Sequence, residues 1–280
     1  MANQTFKIAL LGNPNTGKSS VFNQLTGLRQ KVGNFPGVTV ERKNGAFKLT
    51  DNIEISVTDF PGTYSLFPTS LDERIVLNAL TNKNDIDFPD AMVYVADVNN
   101  LERHSLLLSQ LIDLEFPIVL ALNMNDLAEK TGLSVDAKKL ETLFDLPVVS
   151  VNGRTGDGIN ALKNELQKLL QTKKSSSKRF YELTNTEIEI TDEISKKIRV
   201  KNSYAALLIA HHVKKISFLN AAQKQELLNL NEKHKFNSIN NQLDEIMQRY
   251  NQFVPIVNQT LDKQIAIGNT LTDKIDSIVT

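Results

Sequence analysis

A glycine-rich segment directly after a short apolar run carries the residue types and spacing that point most clearly to chemistry. Gly12 to Ser19 reads Gly-Asn-Pro-Asn-Thr-Gly-Lys-Ser and fits the phosphate-binding pattern G-x-x-x-x-G-K-[ST]. The run Ile8 to Leu11 predicts a buried strand, and the residues after Ser19 predict a helix whose N-terminus favours an anion. Lys18 is then expected to bridge terminal phosphates, and Ser19 to ligate Mg²⁺. A turn that binds nothing is the alternative. The residues predicted to contact a nucleotide here are Asn13, Asn15, Thr16, Gly17, Lys18, Ser19 and Ser20.

Two further segments carry groups suited to a Mg²⁺ ion bound to phosphates. Asp59-Phe60-Pro61-Gly62 fits the pattern D-x-x-G. Asp59 is expected to hold a Mg²⁺-bound water and the Gly62 N–H to reach the γ-phosphate, because no side chain blocks that approach. An ordinary Pro-Gly β-turn is the structural alternative. Thr39, in a loop with several glycines and prolines, is expected to complete the Mg²⁺ shell as the switch I residue. Lys18, Thr39 and Gly62 are the predicted catalytic residues.

The loop after a later strand indicates which nucleotide base the site would bind. Asn123-Met124-Asn125-Asp126 follows the apolar run Ile118 to Leu122. An N-x-x-D pattern places Asp126 against the N1 and N2 donors of guanine, and Asn123 holds the loop. Adenine offers no matching pair of donors, so the pattern favours GTP over ATP. An ordinary helix N-cap is the alternative interpretation of these residues.

Composition narrows the class of protein. Of 280 residues, 41% are hydrophobic and 23% charged, which is ordinary for a globular protein, and 32 basic residues balance 32 acidic ones. This balance supplies no general attraction for nucleic acid. The absence of cysteine excludes disulfides and thiolate metal sites. No apolar stretch reaches the roughly 18 residues of a membrane helix, and no secretory signal begins the chain. The adjacent His211 and His212 make a poor iron site, because neighbouring side chains on a helix point about 100° apart.

Short β-rich runs alternate with helical segments through about residue 170. Continuous apolarity predicts strands buried on both faces, so the fold class is α/β, with a doubly wound, mostly parallel sheet. Arg42 to Leu49 is predicted to pair antiparallel with Ile53 to Val57 at one edge, with a turn between them. The predicted strands are Lys7 to Leu11, Ile53 to Asp59, Ala91 to Asp97, Ile118 to Asn123 and Pro147 to Ser150.

A small all-α domain is predicted after a change in composition. The polar and basic segment 171–179 reads as a linker or exposed boundary, and a contact with anionic lipid is its functional alternative. The domains are therefore set at 1–172 and 173–270, with 271–280 as a separate segment. The helices predicted after the boundary are Thr186 to Arg199, Tyr204 to Lys214, Ala221 to His234 and Ile239 to Phe253.

These motifs together resemble the cytosolic N-terminal region of the bacterial ferrous iron transporter family FeoB. The segments that carry the resemblance are GNPNTGKSS, VGNFPGVTVERK, DFPGTYSL, DVNNLERH, NMND and, less specifically, the helical region with its Gln-Arg-Tyr and its Asp-x-Ile-Asp segment.

The resemblance implies several properties of the site. Asn15 would help to bind a K⁺ ion beside the phosphates, with a loop asparagine that bonds its own backbone as the alternative. Thr63 stands where related enzymes carry a water-positioning glutamine, so slow hydrolysis is expected. Asn152 and Gly153 would contact the base, with the Gly153 N–H toward guanine O6. Met124 replaces the lysine that often precedes the base-binding aspartate, a replacement common in the family.

The resemblance also implies a location and partners. The chain would lie at the cytoplasmic face of the bacterial inner membrane, itself soluble, and would use GTP to regulate Fe(II) uptake. The segment 271–280 would be the start of a juxtamembrane segment. Its partners would be its own C-terminal transmembrane region, small cytosolic Feo proteins and further copies of the chain, with no nucleic acid. Two alternatives stay open: a stand-alone GTPase acting on the ribosome or tRNA, and an interaction scaffold without enzymatic activity.

Overall fold

The computed structural model describes residues 4–28 and 42–263, and six of its strands form one sheet. The strands are β1 (Gln4–Gly12), β2 (Lys43–Thr50), β3 (Ile53–Asp59), β4 (Ala91–Asp97), β5 (Ile118–Asn123), β6 (Leu133–Val135), β7 (Val148–Ser150) and β8 (Leu261–Lys263). The order in the large sheet is β2-β3-β1-β4-β5-β7. Every pair is parallel except β2 with β3, which is antiparallel. The doubly wound sheet and its antiparallel edge are therefore confirmed.

Ten α-helices surround the sheet or follow it within the described residues. They are α1 (Lys18–Thr26), α2 (Leu71–Thr81), α3 (Leu101–Asp113), α4 (Asn125–Lys130), α5 (Ala137–Phe144), α6 (Ile159–Thr172), α7 (Asn185–Ile198), α8 (Ser203–His212), α9 (Ala221–Lys233) and α10 (Ser238–Thr260). Short 3-10 turns at 98–100 and 213–215 precede α3 and follow α8. Ser70 and Thr184 begin their helices with capping boxes that use Glu73 and Glu187, so these glutamates cap helices.

Helix α10 runs one to two turns beyond the helix predicted to end at Phe253. The extension includes Pro255, which cannot donate to the helical ladder. In the structure Pro255 lies inside the helix and is exposed. Because water can satisfy the carbonyl that lacks its partner, the helix continues, and Phe253 and Val257 are both buried beside the proline.

Alternate residues of the central strands point into two different hydrophobic cores. Ile8 and Leu10 join Val93 in the core under α1 and α6. Ala9 and Leu11 point to the other face and share a core with α2 and α3 and with the helices after residue 185. The helical region therefore packs on one face of the nucleotide-binding domain. The division at residues 172 and 173 stays a prediction, and the segment 271–280 lies outside the described residues.

The basic segment after α6 is held along the domain surface rather than projecting from it. Lys174 Nζ donates to Asp145 Oδ1 at 2.9 Å, and the Ser177 N–H donates to Asp145 Oδ2 at 2.8 Å. Ser176 Oγ donates to the Phe144 carbonyl at 2.7 Å. The two hydrogen bonds hold the pKa of Asp145 well below its usual range. This docking explains how a segment without apolar residues follows a fixed path.

A buried ionic cluster joins α3 to α10. Arg249 of α10 is fully buried, with Nη1 2.7 Å from Asp113 Oδ2 and Nε 2.7 Å from Glu245 Oε1. Tyr204 of α8 donates to the same Glu245 oxygen at 2.6 Å, and its ring lies 4.6 Å from the Arg249 guanidinium. Burial raises the pKa of both carboxyls, although Arg249 acts in the opposite direction. The cluster fixes the helical region against the end of α3.

A second, two-stranded sheet ties the end of α10 to the middle of the chain. β6 and β8 pair antiparallel, with Leu133 opposite Lys263 and Val135 opposite Leu261. The Asp136 N–H also donates to the Thr260 carbonyl at 2.8 Å. No helix in the part of the chain that the structure describes is long and apolar enough to cross a membrane.

Candidate nucleotide-binding site

The predicted phosphate loop connects β1 to α1 at the carboxyl edge of the sheet. Gly17 and Asn15 both have left-handed backbone, with φ of 80° and 66°. A Cβ on Gly17 would strike the Asn123 amide, so only glycine fits there. No hydrogen bond to another described residue uses the N–H groups of Asn15, Thr16 or Gly17. These donors and the N-terminus of a nine-residue helix therefore form a site suited to an anion.

Three of the predicted catalytic and metal-binding side chains meet beside this loop. Lys18 Nζ forms an ion pair with Asp59 Oδ1, and Ser19 Oγ donates to Asp59 Oδ2 at 3.2 Å. Asp59 ends β3, next to β1, which is why residues 41 apart in sequence come together. One hydroxyl and one carboxylate at this point are the hard oxygen ligands that Mg²⁺ prefers, so the donor set fits that ion. Thr39, the third predicted ligand, lies outside the described residues.

Gly62 brings the start of switch II against the phosphate loop. A Cβ there would lie 2.9 Å from the Pro14 nitrogen and 3.0 Å from Pro14 Cα. The Thr63 N–H donates to the Gly12 carbonyl at 3.4 Å. The Thr63 hydroxyl lies 2.7 Å from the Ser65 carbonyl and 3.0 Å from Glu73 Oε1. Because the protein engages this hydroxyl, it is poorly placed to replace a water-positioning glutamine.

Asn123 links the phosphate loop to the last predicted base-contacting loop. Its Nδ2 donates to the Thr16 carbonyl at 2.8 Å, and its Oδ1 accepts from the Gly153 N–H at 3.0 Å. Asp126 lies in the first turn of α4, directly after this bridge. The Gly153 N–H, predicted to contact guanine O6, is thus bonded within the protein, and its role toward a base stays a prediction.

Asn152 shapes the last loop rather than projecting from it. Its Oδ1 accepts from the Arg154 N–H at 2.9 Å and from the Thr155 N–H at 3.1 Å. From α1, Gln24 Nε2 donates to the Arg154 carbonyl at 3.3 Å. Gln24 was not predicted, since a glutamine on a predicted helix carries no signal for a contact 130 residues away. A Cβ on Gly153 would lie 3.0 Å from Ser20 Cβ, so the loop packs closely on α1.

Three consecutive switch II residues contact three different helices or turns. The Leu66 N–H donates to Gln110 Oε1 of α3 at 2.7 Å, and Lys215 Nζ donates to the Pro68 carbonyl at 2.6 Å. The Phe67 ring packs against both His211 and His212, with centroids 5.9 Å apart in each case.

The two histidines are therefore packing residues in the structure. Burial lowers the pKa of His211 to about 3 and that of His212 to about 4, so both rings are neutral at pH 7. Among residues 4–28 and 42–263, no group of three or more acidic or histidine side chains is arranged to hold a metal ion.

The fold and the site define a P-loop GTPase domain, with its phosphate loop, its D-x-x-G aspartate and its N-x-x-D loop at one edge of the sheet. The model of the family described as Ferrous iron transport protein B matches residues 6–166. The chain belongs to this family, FeoB.

Individual relatives agree with this assignment. The Fe(2+) transporter FeoB of Leptospira biflexa is 34% identical over 283 residues, which cover 97% of this chain and 40% of the relative. That of Salmonella typhimurium is 47% identical over 160 residues, covering 56% of this chain and 20% of the relative. The chain therefore spans less than half the length of these relatives.

Solved structures match over nearly the whole chain. The cytosolic domain of L. pneumophila FeoB aligns with a TM-score of 0.72 and 33% identity, covering 93% of this chain and all of that one. The cytosolic domain of T. maritima FeoB in its GMPPNP form aligns with a TM-score of 0.67 and 31% identity, covering 92% of this chain and 99% of that one.

Proposed function

We propose that this chain binds and slowly hydrolyses GTP as the cytosolic module of a ferrous iron transporter, at the cytoplasmic face of the inner membrane. The observation that carries the proposal is the meeting of Lys18, Ser19 and Asp59 beside a phosphate loop with several N–H groups that bond to no other described residue. A T. maritima relative in a GMPPNP form supports a nucleoside triphosphate as the ligand. Family membership and balanced charge argue against a stand-alone GTPase acting on RNA.

Each side chain has a role that follows from its position. Lys18 leaves its ion pair with Asp59 to bind the terminal phosphates, because a triphosphate carries more negative charge than one carboxylate. Ser19, Asp59 and Thr39 would hold Mg²⁺, which neutralises phosphate charge when bound. Gly62 presents its N–H to the γ-phosphate without steric hindrance. Asn123 keeps the phosphate loop and the last loop in register, so that Asp126 can meet the base.

The proposed preference for guanine is tested by a change of one atom at Asp126. Asp126→Asn exchanges an acceptor for a donor opposite guanine N1, so GTP binding should weaken by roughly 2–3 kcal/mol and xanthosine triphosphate should compete. Glu129→Gln, the same chemical change at an exposed position on α4, should leave GTP affinity unchanged. Calorimetric titration of both variants and the parent with GTP and ATP measures this. Equal affinity of the parent for the two nucleotides would exclude the guanine assignment.

Potassium activation through Asn15 is the finer part of the proposal. Asn15 is exposed at the turn of the phosphate loop, where its side chain can reach a cation beside the phosphates. Such an ion would stabilise charge that grows at the β,γ-bridge toward the transition state, so GTP turnover should be faster in KCl than in NaCl. Asn15→Ala should remove the difference and keep GDP affinity. Identical parental rates of phosphate release in the two salts would refute the role of the cation.

Substitutions of the proposed catalytic lysine and of the switch I threonine should have different effects on GDP binding. Lys18→Ala should abolish both nucleotide binding and hydrolysis, since the lysine contacts the phosphates of GDP and GTP alike. Thr39→Ala should spare GDP binding and remove hydrolysis, because switch I engages the γ-phosphate and its Mg²⁺. Parental GTP turnover in the Thr39→Ala protein would take this residue out of the mechanism.

A further inference from the structure

Tyr94 stands out in the sheet because it is a phenol flanked on both sides by apolar residues of the same strand. It lies in the middle of β4 and is fully buried. Its hydroxyl oxygen is 2.7 Å from Asn13 Oδ1 and 2.7 Å from the His104 carbonyl oxygen. Asn13 is the second residue of the phosphate loop, and His104 is on α3. One hydroxyl therefore contacts both elements.

The hydrogens at this contact can be accounted for in one complete arrangement. A phenol has a single hydrogen, and the His104 carbonyl can only accept it. Asn13 Nδ2 is buried with no hydrogen-bond partner among the described residues. A half-turn of the Asn13 amide presents Nδ2–H to the Tyr94 oxygen, while the Tyr94 hydroxyl donates to His104. The Tyr94 hydroxyl then donates one hydrogen bond and accepts another, which satisfies this buried group.

The two residues at the ends of this series of hydrogen bonds, Asn13 and His104, are each held by a further hydrogen bond. The Asn13 carbonyl accepts from Thr16 Oγ1 at 3.0 Å, so Asn13 forms a corner of the phosphate loop. His104 Nδ1 accepts from the Asp97 N–H at 3.1 Å. Burial lowers the pKa of His104 to about 4, which keeps this nitrogen unprotonated at pH 7. Burial also raises the pKa of Tyr94 well above its ordinary value, so its hydroxyl keeps the hydrogen.

We propose that Tyr94 is a positioning residue for the phosphate-binding loop, whose hydroxyl holds Asn13 to α3 and so keeps the loop N–H groups directed at the phosphates. The inference rests on the proposed function of that loop. Without the hydroxyl, the Asn13 side-chain amide keeps no partner among the described residues, and the loop can leave the binding conformation. GDP binding must then restore the ordered loop. The observed affinity is the intrinsic affinity multiplied by the fraction of molecules whose loop is already in the binding conformation.

The test is the release of GDP from Tyr94→Phe, measured with a fluorescent GDP analogue by stopped flow. Loss of one buried hydrogen bond should accelerate release about five- to tenfold, where tenfold corresponds to about 1.4 kcal/mol. Tyr204→Phe is the matched control: it also removes a fully buried hydroxyl, one that donates to Glu245 at 2.6 Å in the helical region. It should change the melting temperature and leave GDP release within twofold of the parent. Equal acceleration in both variants would overturn the inference, because it would reflect stability alone.

Asn13→Ala tests the same contact from the loop side and serves if Tyr94→Phe does not fold. It should accelerate GDP release to a similar degree. The double variant should release GDP no faster than the faster single variant, because both changes break the same chain of bonds. Multiplied effects would show independent roles and overturn the proposal. A parent that binds no guanine nucleotide would instead refute the proposed function, so parental binding is measured first.

Discussion

Replacing Arg249 with methionine tests the buried ionic cluster between α3 and α10. The side chain is fully buried, and the two carboxylates that it contacts at 2.7 Å, Asp113 and Glu245, are buried as well. Methionine has a similar length and no charge. The variant therefore keeps most of the packing and leaves two buried carboxyls without a cation.

The cost follows from the burial of the partners. Removing one member of a buried ion pair costs about 3–5 kcal/mol, because the remaining charge is uncompensated. Here burial already raises the pKa of both carboxyls, and loss of Arg249 raises them further. Above the ordinary carboxyl pKa, the unfolded chain has released the protons of these two carboxyls, whereas the folded variant still holds them. Its free energy of unfolding should fall as pH rises, so the difference from the parent should be larger at about pH 8 than at about pH 5.

Urea denaturation of parent and variant at the two pH values measures this difference. Histidine titration affects both proteins alike and cancels in the comparison. Lys168→Met is the matched control, because Lys168 is 69% exposed and pairs with Glu165 one turn away, so it should cost less than about 1 kcal/mol at either pH. Adding Asp113→Asn and Glu245→Gln to Arg249→Met should recover part of the loss. A loss equal to that of the control, or a loss independent of pH, would refute this account.

Two further outcomes are expected. Burial lowers the pKa of His104 from 6.5 to about 4. As pH falls, the unfolded chain therefore protonates this histidine before the folded protein does. The free energy of unfolding should decline by up to about 3 kcal/mol between these two pKa values. Denaturation curves of His104→Gln, in which this titration is absent, should decline less, and identical curves would contradict the assignment. Gly62→Ala should abolish GTP hydrolysis while GDP still binds, because its Cβ would lie 2.9 Å from the Pro14 nitrogen; phosphate release and GDP titration distinguish this from a general loss of folding.

The strands of the sheet were predictable because burial on both faces leaves continuous apolar runs. Ile53–Asp59, Ala91–Asp97 and Ile118–Asn123 agree residue for residue with the expectation. The antiparallel edge was also predictable, since a polar turn separates its two strands. The pair β6 and β8 was not, because each strand has three residues and the partners lie more than 120 residues apart.

The sequence motifs identified residues of the site, and the structure shows the contacts between them. Lys18 and Ser19 were identified from the phosphate-loop pattern, yet their shared contact with Asp59 depends on how β1 and β3 pair. Tyr94 and Gln24 match no motif, because each contacts a loop that lies far away in the sequence. The burial of Arg249 was not predicted, because it depends on carboxylates on α3 and α10 that no local pattern brings together.

The pairing of β6 with β8 has a mechanical consequence for the nucleotide site. The chain continues beyond Lys263 from a ladder in which Lys263 lies opposite Leu133, the first residue of β6. Tension on the chain from that side would therefore reach Leu133 before any other part of β6. Leu133 is seven residues after Asp126, and α4 fills most of that interval. Force on the C-terminal side would thus arrive first at the proposed base-recognition loop, and it would reach the phosphate loop only through Asn123, which donates to the Thr16 carbonyl at 2.8 Å.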